Sequence, residues 1–326
     1  MKKDIKQFLI ASFIVIIGVV LIDILVGLIS DKLVDKLPNF AGQFAKDNYR
    51  LHRMNEDIVI IGSSRGSHHY VTNQLGDSIN NYLDKSFSIY NAAIDGKFAS
   101  SNSCAAEIII DRYKPKMVIF DISEGQLKGE NVDDIKFSSP FYRKDSIVRR
   151  YIDNIGFKEK VITKSSLYRY NGKFVRIFSS FIQAKNIDDG YLPLYGTSID
   201  TNIMSKKSNS KVVSFNDYKY NNFENVLKKY SQHNIPLIVV ASPYFRPSDD
   251  NKELKLLCNK YNTPFIDIYD DAYFNNHPEL FKDAGHLNDV GAHYYTALFF
   301  KYLKPYLWKI RELNLYEVII TMWDSK

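Results

Sequence analysis

The sequence predicts an α/β domain built on a central parallel sheet, preceded by one helix that crosses a membrane. Three observations predict it. Residues 8–29, FLIASFIVIIGVVLIDILVGLI, form a 22-residue apolar run with a single charge, Asp23. Further along, five short runs rich in β-branched residues alternate with helical stretches. Those runs are apolar throughout rather than every second residue, as in strands covered on both faces. The chain has 326 residues, 45% apolar and 25% charged, which is globular composition with length enough for a substantial core.

The apolar run reaches roughly 33 Å at 1.5 Å per residue, enough to cross a hydrocarbon layer about 30 Å thick. It shows no polar face. A cleaved signal peptide would have a shorter apolar stretch, about 7–15 residues, ending in a small-x-small site. Here the run continues into Asp31-Lys32-Leu33-Val34-Asp35-Lys36, so an uncleaved anchor is expected. Lys2, Lys3 and Lys6 precede it, which leaves the N-terminus in the cytoplasm and the main domain outside. Asp23 falls near the outer end of the span, where a carboxylate costs less than at the midplane. It is read as an interfacial carboxylate, with a contact to a partner helix as the alternative. The expected organisation is a cytoplasmic tip and anchor over 1–36, a connector over 37–56 and the main domain over 57–326.

Strands are expected at 57–62, 87–91, 116–122, 235–242 and 264–268. Helices are expected near 67–83, 99–113, 218–233, 249–261 and 289–304. This alternation predicts a three-layer sandwich with a five-stranded parallel sheet, whose functional residues collect beyond the carboxyl ends of the strands. The alternation breaks over about 125–216, read as an insertion too long to be a plain loop. Its aromatic residues include Phe137, Phe141, Tyr142, Tyr151, Tyr168, Tyr170, Phe174, Tyr191 and Tyr195. Most are expected to form a local core, and the alternative is stacking on sugar rings. Residues 315–323, LYEVIITMW, read as an added strand.

Several function classes have no support. The net charge is +6, with basic residues scattered rather than clustered, so no nucleic-acid partner is expected. Cys104 and Cys258 make neither a disulfide framework nor a Cys/His cluster, and no metal site is expected. Whether these two cysteines meet is left open. Neither GxxxxGK[ST] nor GxGxxG occurs where the first strand ends.

Two segments carry chemistry. Residues 58–69 read IVIIGSSRGSHH: a strand running into Gly-Ser-Ser and a helix, which places a hydroxyl at the sheet edge beside free N–H groups. Gly62-x-Ser64-x-Gly66 also matches the elbow of α/β-hydrolases, although that elbow follows later strands, not the first. A serine-capped turn is the plain alternative. Residues 281–295 read FKDAGHLNDVGAHYY, and Asp283 and His286 supply the carboxylate and imidazole that a nucleophilic serine requires. Alone, this pair also fits a turn capping the last helix.

Together the two segments resemble the SGNH hydrolase superfamily, also called GDSL esterases, over about residues 57–303. The resemblance implies an SGNH or flavodoxin-like sandwich with Ser64 as nucleophile, His286 as general base and Asp283 as its orienting partner. The second block of the family corresponds to Asn91-Ala92-Ala93-Ile94-Asp95-Gly96, which assigns oxyanion-binding N–H groups to Ser64 and Gly96. The third block departs from the family: Asp121-Ile122-Ser123-Glu124 stands where G-x-N-D is usual. Ser123 and Asn102 are the candidate replacements for the missing Asn donor, whose loss costs on the order of 10²–10³ in rate.

Arg65, His68 and Tyr244 are candidate substrate-binding residues, with an ion pair as the plain reading of Arg65. Glu124 and Asp121 are read as loop-holding carboxylates, and His69, His233, His277 and His293 as packing or surface residues. The resemblance implies an esterase or an O-acyltransferase acting on acylated surface or secreted polysaccharide, with no metal or organic cofactor. A membrane acyltransferase is a conceivable donor-side partner. The competing reading, favoured by the third block, is a silent glycan-binding or assembly protein of the same fold.

Overall fold

A computed structural model of the chain describes residues 2–38, 42–182, 189–199, 213–247, 250–308 and 310. Residues 315–323 lie outside the described residues. In chain order the elements begin with helices α1 (Lys2–Asp35) and α2 (Gly42–His52), then β1 (Ile58–Gly62), α3 (Ser64–His69), α4 (Thr72–Leu83), β2 (Ile89–Asn91), α5 (Ala99–Arg112) and β3 (Met117–Asp121). Four short helices follow: α6 (Ser146–Asp153), α7 (Phe157–Ile162), α8 (Ser166–Tyr170) and α9 (Phe174–Ile182). The chain then makes α10 (Asp217–His233), β4 (Leu237–Ala241), α11 (Lys252–Lys260), β5 (Phe265–Asp267), α12 (Ala272–Asn276), β6 (Phe281–Asp283), β7 (His286–Leu287) and α13 (Asp289–Leu303). Two compact units result: residues 1–48 with 136–185, and residues 49–135 with 186–326.

The larger unit is the α/β domain. Its sheet has five strands in the order β2-β1-β3-β4-β5, and every pairing is parallel. Every residue of β1, β3 and β4 is buried, which explains the unbroken apolar runs. Ile58, Ile60, Ile119 and Val240 share one core with Leu75 and Ile79 of α4 and Phe299 and Leu303 of α13. On the other face Phe120 packs edge-to-face on Phe223 of α10, with ring centroids 5.3 Å apart, a favourable geometry for an aromatic pair. Tyr230 of α10 donates its hydroxyl to Ala106 O of α5. Cys104 and Cys258 are both buried, and no disulfide joins them.

The stretch expected as one helix over 67–83 is two. Helix α3 begins at Ser64, and Tyr70 breaks the run with extended dihedrals, φ −108° and ψ 106°. The break has partners of its own: the Tyr70 hydroxyl donates to Asp121 Oδ2 at 2.7 Å, and Val71 N donates to Thr296 Oγ1 at 3.0 Å. The segment of Asp283 and His286, which alone fits a turn capping the last helix, forms the antiparallel pair β6–β7.

In the smaller unit, α1 is long and apolar enough to span a bilayer by length and composition. Its packed side is Gly27, Ser30 and Val34, spaced three and four residues apart. Asp23 finds its partner within the same chain: Oδ1 accepts from Ser165 Oγ at 2.6 Å and Leu167 N at 2.8 Å. Tyr170 donates to Asp31, and Lys144 pairs with Asp35 at 2.6 Å. Phe141, Tyr142, Tyr151 and Tyr170 are buried and Phe44 stacks on Phe141, so these insertion aromatics make a local core.

Gly66 shows why α3 needs a glycine. A Cβ there would lie 2.6 Å from Ala93 Cβ, inside any real contact distance. Gly66→Ala is expected to destabilise the domain by about 1–3 kcal/mol, read as a lower denaturant midpoint of the full-length protein in detergent.

Candidate active site

The sheet order puts β1 between β2 and β3, so the chain leaves β1 at the point where successive strands go to opposite sides, the usual place for a crevice. Ser63 caps the turn in extended conformation and Ser64 opens α3. The Ser64 hydroxyl is 2.7 Å from His286 Nε2, across 222 residues of sequence.

His286 is delivered by a hairpin. β6 and β7 are joined by Ala284-Gly285, and Asp283 stands directly opposite His286 in the register. Asp283 Oδ1 accepts from Gly285 N at 2.9 Å and from His286 Nδ1 at 2.8 Å. A carboxylate only accepts, so Nδ1 carries the proton and Nε2 is left bare to accept from Ser64. The hairpin is fixed from outside by Phe245 N donating to Ala284 O and Ser198 N donating to Lys282 O. Tyr244 lies against Gly285 and its ring packs on Tyr269. Asp283 is half exposed, so water weakens its pull on the imidazole.

A second histidine, His69, sets the position of this hairpin. Its Nε2 accepts the backbone N–H of Leu287 at 3.0 Å, and its Nδ1–H donates to Ser242 Oγ at 3.0 Å. Burial holds its pKa well below the ordinary value, and the nearby Arg65 charge adds to the effect. His69 is therefore neutral, as its two hydrogen bonds require.

Asp121, at the end of β3, is buried beside it. Desolvation raises the Asp121 pKa against the opposing pull of Arg65, Ser242 and Tyr70. Arg65 is buried too: its Nε is 3.8 Å from Asp121 Oδ1 and its guanidinium lies over the Tyr269 ring. His68 turns Nδ1 to Leu192 O at 2.6 Å and Nε2 to Asp95 Oδ2 at 3.3 Å, with its ring edge-on to His286. Arg65 and His68, two of the three candidate substrate-binding residues, thus each have protein partners.

On the side where an oxyanion is expected from the sequence, Ile94 N donates to Gly62 O and Lys97 N to Ile94 O. These bonds hold the turn that contains Gly96 beside the Ser63-Ser64 step. Gly96 has φ +72°, a conformation that favours glycine. Asn102 is held on both sides: one amide N–H donates to Lys97 O at 2.9 Å and its carbonyl oxygen accepts from Arg50 at 3.0 Å. Ser123, two residues past β3, is buried and lies near the Tyr269 hydroxyl. Glu124 accepts from the backbone of Glu253 and Leu254 at the start of α11. His233, His277 and His293 bond to Lys229 O, Glu279 and Gln74 at exposed positions.

Gln126 escaped the sequence reading. It follows β3 on a short 3-10 helix, and its amide N donates to Ser63 Oγ at 3.3 Å. Its carbonyl oxygen is buried with no hydrogen-bond partner. The signal was an amide two residues past Glu124, outside the expected spacing. Residues 189–199 were also missed as a structural unit. This strap bonds in turn to Asn91, Ser67, Asp289 and Lys282. Among the described residues no group of three His, Cys, Asp or Glu side chains converges as a metal site would require.

No family model matches the chain, and no curated protein matches it. Solved structures of similar shape include the following two. A presumed acylhydrolase from Bacteroides fragilis aligns at 11% identity and TM-score 0.38, over 83% of this chain and 99% of that one. A gut microbial diltiazem-metabolizing enzyme aligns at 10% identity and TM-score 0.37, over 76% of this chain; the chain spans 46% of that protein's length. The sheet order and the hydrogen bonds of the site carry the reading that follows.

Since folded His69 stays neutral while the unfolded chain takes up a proton below about pH 6.5, stability falls as pH drops through that value. His69→Gln removes this proton uptake. Its loss of unfolding free energy between pH 7.5 and 5.5 is expected to be smaller than that of the parent by about 1 kcal/mol, measured by urea titration at both pH values.

Proposed function

We propose that the chain is a membrane-anchored, extracytoplasmic serine acyl-ester hydrolase or O-acyltransferase of the SGNH type, acting on acylated surface or secreted polysaccharide. The observation that carries the chemistry is the unbroken series Ser64–His286–Asp283 at the carboxyl edge of the sheet. In this reading Ser64 Oγ attacks the ester carbonyl carbon while its proton passes to His286 Nε2. Asp283 holds the Nδ1–H and stabilises the imidazolium. The tetrahedral oxyanion draws on the N–H groups of Ser64 and Gly96. Collapse breaks the ester bond, and His286 returns its proton to the leaving alkoxide. Water or a second hydroxyl, deprotonated by the same imidazole, then attacks the acyl-enzyme and regenerates Ser64.

Gln126 is the amide best suited to the part that the third block leaves vacant. It already reaches Ser63, one residue from the nucleophile, and it is a stronger candidate than Asn102 because Asn102 is held by Arg50 and Lys97. Glycan specificity rests on Tyr195, which is 71% exposed. Its neighbours Leu194 and Gly196 accept hydrogen bonds from Asp289 and Asn288, close to His286. The anchor reading rests on α1, with the three N-terminal lysines favouring a cytoplasmic tip.

Full-length protein in detergent is expected to react with a fluorophosphonate probe, and Ser64→Ala and His286→Ala to abolish labelling. A well-folded parent that stays unlabelled would remove the enzyme reading. Gln126→Ala is expected to lower kcat on an aryl acetate by about 10² with little change in KM, read by steady-state kinetics. Tyr195→Ala is expected to raise KM for an acetylated oligosaccharide about tenfold, the worth of one stacking contact, while leaving aryl acetate turnover unchanged.

A further inference from the structure

The smaller unit carries a feature that the proposed chemistry does not use. Along α1 the side chains from Ile5 to Ile22 have little cover from their own chain. These 18 residues make roughly 27 Å of helix, close to a hydrocarbon thickness of about 30 Å. The first firm attachment is the next residue, Asp23, whose carboxylate holds Ser165 Oγ and Leu167 N. The start of α8 is thereby pinned where the bare part of α1 ends. Yet Leu28 and Ile29, still farther along α1, are also exposed. The apolar stretch therefore runs past the level at which α8 is attached.

The helices around that level are unlike those of a soluble surface. On α9, Val175, Phe178 and Ile182 are 78%, 55% and 83% exposed, at spacings of three and four residues that form one face. Ile177 and Ser180 of the same helix are buried. On α7, which Tyr168 of α8 ties in through Glu159, Phe157 is 83% exposed. Leu167, beside Asp23, is exposed as well. Helices α8 and α9 both pack against α1. Charge completes the pattern: residues 136–182 hold eleven Lys and Arg against three Asp and Glu, a net +8, which leaves −2 for the rest of the chain.

We infer that α7, α8 and α9 form an interfacial collar that beds Phe157, Leu167, Val175, Phe178 and Ile182 into the leaflet from which α1 emerges, with the surrounding basic residues on anionic phospholipid headgroups. Apolar side chains on one face and Lys and Arg around them are what a helix lying in the plane of a bilayer requires. The occupant is lipid rather than another protein because the patch is continuous with the bare span of α1 and is held at its end by the Asp23 bonds. The inference rests on the anchor reading of α1.

The test uses full-length protein in nanodiscs of phosphatidylcholine and phosphatidylglycerol. Single cysteines in Val175→Cys and Phe178→Cys carry an NBD label, and nitroxide lipids with shallow spin labels serve as quenchers. Leu21→Cys marks the span, Lys255→Cys marks the aqueous surface, and the parent gives the background from the buried Cys104 and Cys258. At positions 175 and 178 the expected result is roughly twofold quenching, as at position 21, with none at 255. Omitting phosphatidylglycerol is expected to weaken quenching at 175 and 178 but not at 21. Quenching at 21 without quenching at 175 and 178 would overturn the collar while leaving the anchor intact. Blue-shifted but unquenched emission at those positions would overturn it in favour of a protein partner. Loss of quenching at 21 as well would remove the anchor and the collar together.

Discussion

Leu287 gives its backbone N–H to one nitrogen of His69, and through that bond the helix that carries Ser64 meets the hairpin that carries Asp283 and His286. Nearly everything at the site depends on it. A charged His69 has no bare nitrogen to accept the bond, so the ring must stay neutral, and burial keeps it so. The same burial forces the neighbouring polar groups to satisfy one another. Tyr295 donates to Tyr70, Tyr70 donates to Asp121, and Ser242 takes the remaining N–H of His69. Such a network costs stability wherever one member is removed. Its return is a fixed distance between a hydroxyl and an imidazole supplied by opposite ends of the domain.

The sheet was legible because parallel strands buried on both faces write themselves as apolar runs; β1, β3 and β4 fall within the expected segments. The pairing of Ser64 with His286 was legible only in combination, since each motif alone fits a capped turn. What escaped has a common physical cause. Gln126 reaches Ser63 from a 3-10 helix whose path is set by Glu124 capping α11, a contact 129 residues away in sequence. His69 looked like a packing residue because nothing local reveals that its partner is the backbone of Leu287. The helix break at Tyr70 was hidden for the same reason, as its hydroxyl is drawn to Asp121. Long-range polar contacts leave no periodicity to read.

The insertion illustrates the converse. Its aromatic content suggested two uses, and the structure separates them by position. Phe141, Tyr142, Tyr151 and Tyr170 are buried with Phe44 in the smaller unit, where they supply a core that short helices need. Tyr195 lies in the strap of the larger unit and stays open to solvent. Composition alone ranked these residues together because burial is a property of the packed chain, not of residue type.

The order of the chain has a consequence for its synthesis. Ser64 leaves the ribosome 222 residues ahead of His286, an interval of roughly 10–45 s at ordinary elongation rates of about 5–20 residues per second. Throughout that time the hydroxyl lacks the imidazole that bonds it. The growing polypeptide therefore carries Ser64 without its imidazole partner, and the pair closes only once the last hairpin has folded against α3.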